Sequence, residues 1–426
     1  MSGAVVLERP VVLVDEPVSF IVRGCEPGEI VSISATWDIG DETVRTEGRF
    51  VTPADGVVDP AHHESIAGTY VGVEPHGLWW SIDRQHPFEE LDVLAPWTVL
   101  IAATGREWES STQLTRVKLD PTVRQVPLHA GRLRGVAFLP DVVGPIPSVV
   151  VLSGSGGGLG GLGGVRSIAA LLASHGFAAL ALAYFRYEDL PSELVEIPLE
   201  YFAEGIAWLK RQTSISGDRV AVVGTSRGGE LALLLGSVYP DDIAAVVAKV
   251  PSAIVWGAIG TQPRPHASAW TLDGRPVAPL SGEGLDRHDL PLRDGAIVLT
   301  PSFEARLAAA SADDLAQATI PVERSGGPIL LLSGEDDAMW PSVALAEIAV
   351  ERAAAQGAVQ PIRHLRYRDA GHNFTTAAGF PVARASVHPL SGEYYSYGGS
   401  LLGNAHASVS SWGEILEFLQ NSLSTA

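Results

Sequence analysis

The chain has 426 residues, 46% of them hydrophobic and 18% charged, which supplies more than one folded core and leaves too little charge for disorder. Its 29 basic against 49 acidic residues give a net charge of −20, a field that repels phosphate backbones and argues against a nucleic-acid partner. No apolar run approaches the roughly 20 residues that cross a bilayer, and the single cysteine, Cys25, forbids an intrachain disulfide or a thiolate-built metal site.

Up to about Lys118 the sequence reads as short strands. Val18–Arg23, Glu29–Trp37, Val44–Thr52, Gly68–Val73 and Trp97–Thr104 carry Val, Ile, Thr, Trp and Phe in loose alternation, with Gly, Pro and Asp clusters between them. This predicts an antiparallel β-sandwich over residues 1–121, ending in the linker Leu119-Asp-Pro121.

From there the pattern becomes βαβ. Ser148–Ser153, Ala178–Ala183, Arg219–Gly224, Ile243–Val250, Pro328–Ser333 and Ile362–Tyr367 read as strands. Between and after them Ser167–His175, Pro198–Gln212, Gly228–Val238, Pro341–Gln356 and Ser408–Leu423 have helical spacing. The alternation predicts a mostly parallel sheet with helices on both faces over residues 122–426. An insert at about 251–324, rich in Pro, Gly and Asp, breaks the rhythm; irregular inserts of this length serve more often as lids or pocket walls than as spacers.

Gly224-Thr-Ser-Arg-Gly228 is the one G-x-S-x-G of the chain, and it joins the strand RVAVVG to the helix GGELALLLG. That strand–turn–helix context is what a nucleophile elbow requires, so Ser226 is the candidate nucleophile. A serine hydroxyl needs a base, and the base needs a carboxylate to hold it. Both are expected after the serine, acid first and histidine last. Six of the twelve histidines follow Ser226, and His372 alone lies in the loop directly after the strand Ile362–Tyr367. The acid belongs to Gly334-Glu-Asp-Asp-Ala338, where Asp337 is favoured over Asp336 by its distance from the glycine that ends the strand. Backbone donors for an oxyanion are expected from the amide of Arg227 and from the loop Gly154-Ser-Gly-Gly-Gly158, at Gly156. A dinucleotide-binding reading of that loop fails because the spacing is not G-x-G-x-x-G followed by an acidic residue about 20 positions on.

These residues resemble the acyl-CoA thioesterase / bile acid-CoA:amino acid N-acyltransferase family. The likeness runs through GSGGGL (154–159), SHGFAALALAYFRYEDLP (174–191), LEYFAEGIAWL (199–209), GTSRGGELAL (224–233), PVER (321–324), GEDDAMWPS (334–342), AGH (370–372) and FPVARASVHPLSG (380–392). The resemblance implies an N-terminal immunoglobulin-like sandwich followed by an α/β-hydrolase domain related to dienelactone hydrolase. It implies Ser226 as nucleophile, Asp337 as acid and His372 as base, acting on a small-molecule acyl thioester of coenzyme A. No cofactor, metal, nucleic acid or membrane partner is implied. The amidating branch of the family carries Cys as nucleophile and the hydrolytic branch Ser, which points to a thioesterase, with acyl transfer to an amine or alcohol as the alternative and a dienelactone or carboxyl-ester hydrolase as a further one. Arg227 stands where the family usually has Lys. Coenzyme A is anionic while the chain is acidic, so a local basic patch is expected, with Arg186, Arg227, Arg264 and Arg275 as candidates. The composition and the C-terminus, without a peroxisomal address, lead to the expectation of a cytoplasmic protein.

Overall fold

The computed structural model describes residues 3–423, apart from Gln85, Glu90, Leu91, Val143, residues 213–217, Pro263, Pro265, Glu283, Thr375 and Thr376. Residues 424–426, part of the C-terminus read above, lie outside the described residues. The chain divides into two compact units, one of Met1–Asp120 with Ala377–Ala383, the other of Pro121–Thr376 with Arg384–Ala426.

The first unit is almost entirely β. Its larger sheet runs Val11–Leu13, Glu109–Val117, Trp97–Thr104, Ile30–Ile39, Glu42–Val51 and Ala67–Gly68 in spatial order, and a smaller one pairs Ala4–Leu7, Phe20–Arg23 and Val57–Val58. Alternation fixes which side is buried: Trp97, Val99, Ile101 and Ala103 face inward while Thr98, Leu100 and Thr104 face out. The expected strand Gly68–Val73 shrinks to Ala67–Gly68, and Glu109–Val117, whose polar run ESSTQLTRV hid it, is a full strand. The returning segment Ala377–Ala383 adds Phe380 to this core, its ring edge-on to Trp97 at 5.9 Å.

Among the described residues the second unit is built on an eight-stranded sheet. Its strands are β1 (Val123–Ala130), β2 (Leu133–Pro140), β3 (Ser148–Leu152), β4 (Ala178–Ala183), β5 (Val220–Thr225), β6 (Ile243–Lys249), β7 (Ile329–Gly334) and β8 (Ile362–Tyr367). They lie in the order β1-β2-β4-β3-β5-β6-β7-β8. Strands β3 to β8 are parallel; β1 and β2 form an antiparallel hairpin on the edge beside β4. Every residue of β3, β4, β6 and β7 is buried, which is why those strands read as unbroken apolar runs. Among the described residues the helices that cover the faces are α1 (Val165–Ser174), α2 (Leu199–Lys210), α3 (Arg227–Val238), α4 (Ser342–Gln356) and α5 (Leu401–Leu423).

Local chemistry moves several ends. Pro198 is the N-cap of α2 and not a first-turn residue. Helix α5 begins seven residues before the expected Ser408 because Ser400 stands ahead of it, its Oγ accepting from Gly403 N at 2.9 Å. Within residues 251–324 the insert contains short strands and the helices Thr300–Ala309 and Ala312–Ala318. Among the described residues no helix is long and apolar enough to cross a membrane.

Candidate active site

Ser226 sits between β5 and α3 with φ 58° and ψ −121°, a conformation that a non-glycine residue holds only when its surroundings over-determine it. Those surroundings are backbone. Ser226 N donates to Lys249 O of β6 at 2.8 Å, and its carbonyl accepts from Glu230 N at 3.0 Å. A β-carbon at Gly224 would overlap the Gly228 carbonyl oxygen, and one at Gly228 would overlap the Ser153 carbonyl oxygen of the neighbouring loop. The two glycines let the strand and helix close on each other, which leaves the serine at the tip of the turn.

Asp337 follows β7 and is buried at 7% exposure. Its Oδ1 accepts from Met339 N at 2.9 Å and Trp340 N at 3.3 Å, and its carboxylate meets His372 Nδ1 at 2.9 and 3.0 Å. A carboxylate only accepts, so Nδ1 carries the proton and Nε2 is left as the basic nitrogen. His372, also buried at 8% exposure, is held from behind. Its amide donates to Tyr397 O at 2.6 Å, the preceding Gly371 N donates to Asn404 Oδ1 of α5 at 2.8 Å, and its ring stacks on Tyr397 and meets Trp340 edge-on.

The rival acid points elsewhere. Asp336 forms a bidentate pair with Arg293 at 2.7 and 2.9 Å and accepts from Gly399 N at 3.0 Å. Glu335 pairs with Arg366. The structure thus brings Asp337, and neither neighbour, to His372.

Ser226 and His372 both line a cavity of about 180 Å³, together with Gly154, Ser155 and Gly156. Gly154 comes nearest the serine: a β-carbon there would stand 3.2 Å from Ser226 Cβ and 3.7 Å from its Oγ. The loop is tied down by Gly157 N to Gly154 O at 3.1 Å, Gly158 N to Phe185 O at 2.8 Å, and a hydrogen bond from Arg186 Nη1 to Gly156 O. Arg227 N, at the first turn of α3, has no helical carbonyl ahead of it to bond.

A second cavity of about 300 Å³ opens from the same two residues and is largely apolar, walled by Ile259, Leu299, Phe303, Met339 and Trp340. Three of these belong to the insert, so that stretch contributes a pocket wall.

The four arginines considered as a basic patch part company. The Arg227 side chain is buried, paired with Glu230 at 3.0 Å, and donates to Trp256 O at 2.8 Å. Burial holds the Glu230 carboxyl up at about 7 despite that partner. Arg227 is therefore no surface contact for an anion, a correction to the sequence reading; its long side chain anchors the insert to α3. Arg264 pairs with Glu193 at 3.0 Å, Arg186 serves the glycine loop, and Arg275 is exposed. Arg306, which no sequence signal singled out, lines the apolar cavity.

Sequence reasoning also missed His388 and Tyr395, which line both cavities. His388 lies in the family-like stretch 380–392, but that likeness says nothing of where its ring points. Among the described residues no cluster of His, Cys, Asp and Glu has the arrangement of a metal site.

A family model described as "BAAT / Acyl-CoA thioester hydrolase C terminal" matches residues 197–425, and one described as "Acyl-CoA thioester hydrolase/BAAT N-terminal region" matches residues 15–130. The chain is 33% identical to acyl-coenzyme A thioesterase 1 of Homo sapiens, over 96% of this chain and 94% of that one. It is 32% identical to mitochondrial acyl-coenzyme A thioesterase 2 of Mus musculus, over 96% and 87%. To the peroxisomal succinyl-coenzyme A thioesterase of the same species it is 31% identical, over 95% and 93%.

Proposed function

Because the chain belongs to the acyl-CoA thioester hydrolase/BAAT family, we propose that it hydrolyses an acyl-CoA thioester to free acid and coenzyme A through an acyl-serine. The observation that carries this reading is that His372, held by the buried Asp337, lines one cavity with a strained, turn-tip Ser226.

In the first half-reaction His372 Nε2 takes the Ser226 proton as Oγ attacks the thioester carbonyl. Asp337 holds the imidazole in the tautomer that leaves Nε2 free and stabilises the imidazolium that forms. The amides of Arg227 and Gly156 donate to the oxyanion. His372 returns the proton as the thiolate leaves, then activates water against the acyl-serine. The acyl chain lies in the apolar cavity beside Phe303 and Trp340, where burial of its methylenes contributes about 0.8 kcal/mol each. No cofactor enters beyond the coenzyme A that the substrate carries, and the single, buried Cys25 suits the reducing cytoplasm.

Acyl transfer to an amine or alcohol shares the first half-reaction. The serine nucleophile favours water, because an acyl-serine is an oxygen ester and amines attack it less readily than the thioester of an acyl-cysteine. The deciding experiment is product analysis by mass spectrometry after incubation with a panel of acyl-CoA thioesters, with and without glycine, taurine and simple alcohols. Predominantly free acid is expected; a dominant amide or ester, formed well above the rate of acid, would overturn hydrolysis.

A further inference from the structure

Beside Ser226 the cavity holds a second serine–histidine pair that the reaction above leaves unused. His388 Nε2 lies 3.0 Å from Ser155 Oγ, and both residues line the two cavities that Ser226 and His372 line. The other ring nitrogen, Nδ1, faces the backbone amides of Leu390 and Ser391, each at 3.4 Å. Amides only donate, so Nδ1 is the acceptor and Nε2 carries the proton. Burial, together with the charge of Arg186, pushes the His388 imidazole down to about 4, so the ring is neutral at ordinary pH.

This tautomer has a consequence for Ser155. Its Oγ accepts from His388 Nε2–H, which leaves the single hydroxyl proton to be donated. Ser155 sits in a turn closed by Gly157 N to Gly154 O at 3.1 Å, next to the glycine that comes nearest Ser226. A donor fixed before the reaction begins is what stabilises charge developing on a carbonyl oxygen.

We propose that the Ser155 hydroxyl donates a hydrogen bond to the thioester carbonyl oxygen as a side-chain member of the oxyanion site, and that His388 is a positioning residue acting through it. The inference rests on Ser226 as nucleophile. No proton is transferred: the negative charge stays on the carbonyl oxygen and Ser155 keeps its hydrogen. Ser155 is not itself a nucleophile, because Nε2 of His388 is already protonated and Nδ1 faces two amides.

The test compares Ser155→Ala, Ser155→Thr and His388→Gln by three readouts. These are kcat/KM on acyl-CoA, affinity for a trifluoromethyl ketone analogue that forms a tetrahedral adduct, and affinity for an S-alkyl-CoA that lacks a carbonyl. Ser155→Ala should lower kcat/KM by about 10- to 100-fold, at or below the usual cost of removing one oxyanion donor. Affinity for the ketone should fall in proportion while S-alkyl-CoA binding stays unchanged. Ser155→Thr should recover most of the loss, and His388→Gln should cost several-fold in the wild type and nothing further in the Ser155→Ala background. A loss below twofold, equal weakening of S-alkyl-CoA, or fluorophosphonate labelling of Ser155 in a Ser226→Ala variant would overturn it. Fluorophosphonate labelling of Ser226 separates this inference from the proposed function. Should the wild type turn over no acyl-CoA while Ser155→Ala still slowed that labelling, the substrate reading would fall and the role of Ser155 would stand.

Discussion

Both carboxylate oxygens of Asp337 reach the Nδ1 edge of His372, at 3.0 and 2.9 Å, whereas Asp336, one residue earlier, turns out to Arg293. Ser226→Ala, His372→Ala and Asp337→Asn should each reduce thioester kcat/KM by about 10³-fold or more with folding intact, since such residues act as a unit. Asp336→Asn should cost less than tenfold. Steady-state kinetics on the four variants, with circular dichroism as the folding control, distinguishes them; an Asp336 effect matching that of Asp337 would contradict the assignment.

The elbow has no room for a side chain at its first glycine. Gly224→Ala would drive a methyl group into the Gly228 carbonyl, and backbone on both sides resists the shift. Loss of Ser226 labelling by a fluorophosphonate, with a drop in thermal midpoint of several degrees, is the expected outcome. Unchanged labelling would mean the turn is looser than its φ of 58° at Ser226 implies.

The buried pair of Arg227 and Glu230 makes a different kind of prediction. Glu230→Leu strands the guanidinium without its carboxylate and should destabilise by about 3–5 kcal/mol. Joining it to Arg227→Met removes the stranded charge and should restore part of that loss. Urea denaturation of the single and double variants reads the difference. A double variant worse than the single one would show that the Arg227 bonds to Trp256 and Gly257 outweigh the pairing.

Lys249, at the end of β6, is buried, and burial pushes its ammonium down to about 7. The unfolded chain holds that proton up to the ordinary lysine range near 10.4, so between those values it binds more protons than the folded one. Stability contributed at this site therefore rises as pH climbs from about 7 toward 10. Lys249→Met removes the dependence: the stability gained by the substitution should be largest near pH 7 and shrink by pH 10. Denaturation midpoints at several pH values, taken as variant minus wild type, check the sign.

Legibility in the sequence followed how local the signal was. Ser226, Asp337 and His372 each lie in the connection that follows a strand, and their chain order and glycine neighbours mark them before any contact is known. The buried strands β3, β4, β6 and β7 announce themselves because both faces demand apolar residues. Strand β1 does not: it lies on the sheet edge and reads VRQVPLHA, with Pro127 and alternating polar residues. Ser155 and His388 are 233 residues apart, so nothing short of the fold puts them together. The inward turn of the Arg227 side chain is hidden for a related reason, since position after a nucleophile says nothing of whether a long side chain turns outward or inward.

The segment Ala377–Ala383 belongs to the core of the first unit although it lies beyond His372 in the chain. Phe380 is 2% exposed and packs on Trp97, and a side chain at Gly379 would strike the Val14 carbonyl. A gene cut at residue 121 would therefore yield two unequal products: a β-rich piece missing an aromatic plug, and a second piece carrying that plug as a greasy loop with its seat gone. Recombination would be expected to exchange these units only when both crossovers fall outside the whole span. The pairing of the two would then be inherited as one indivisible length of DNA.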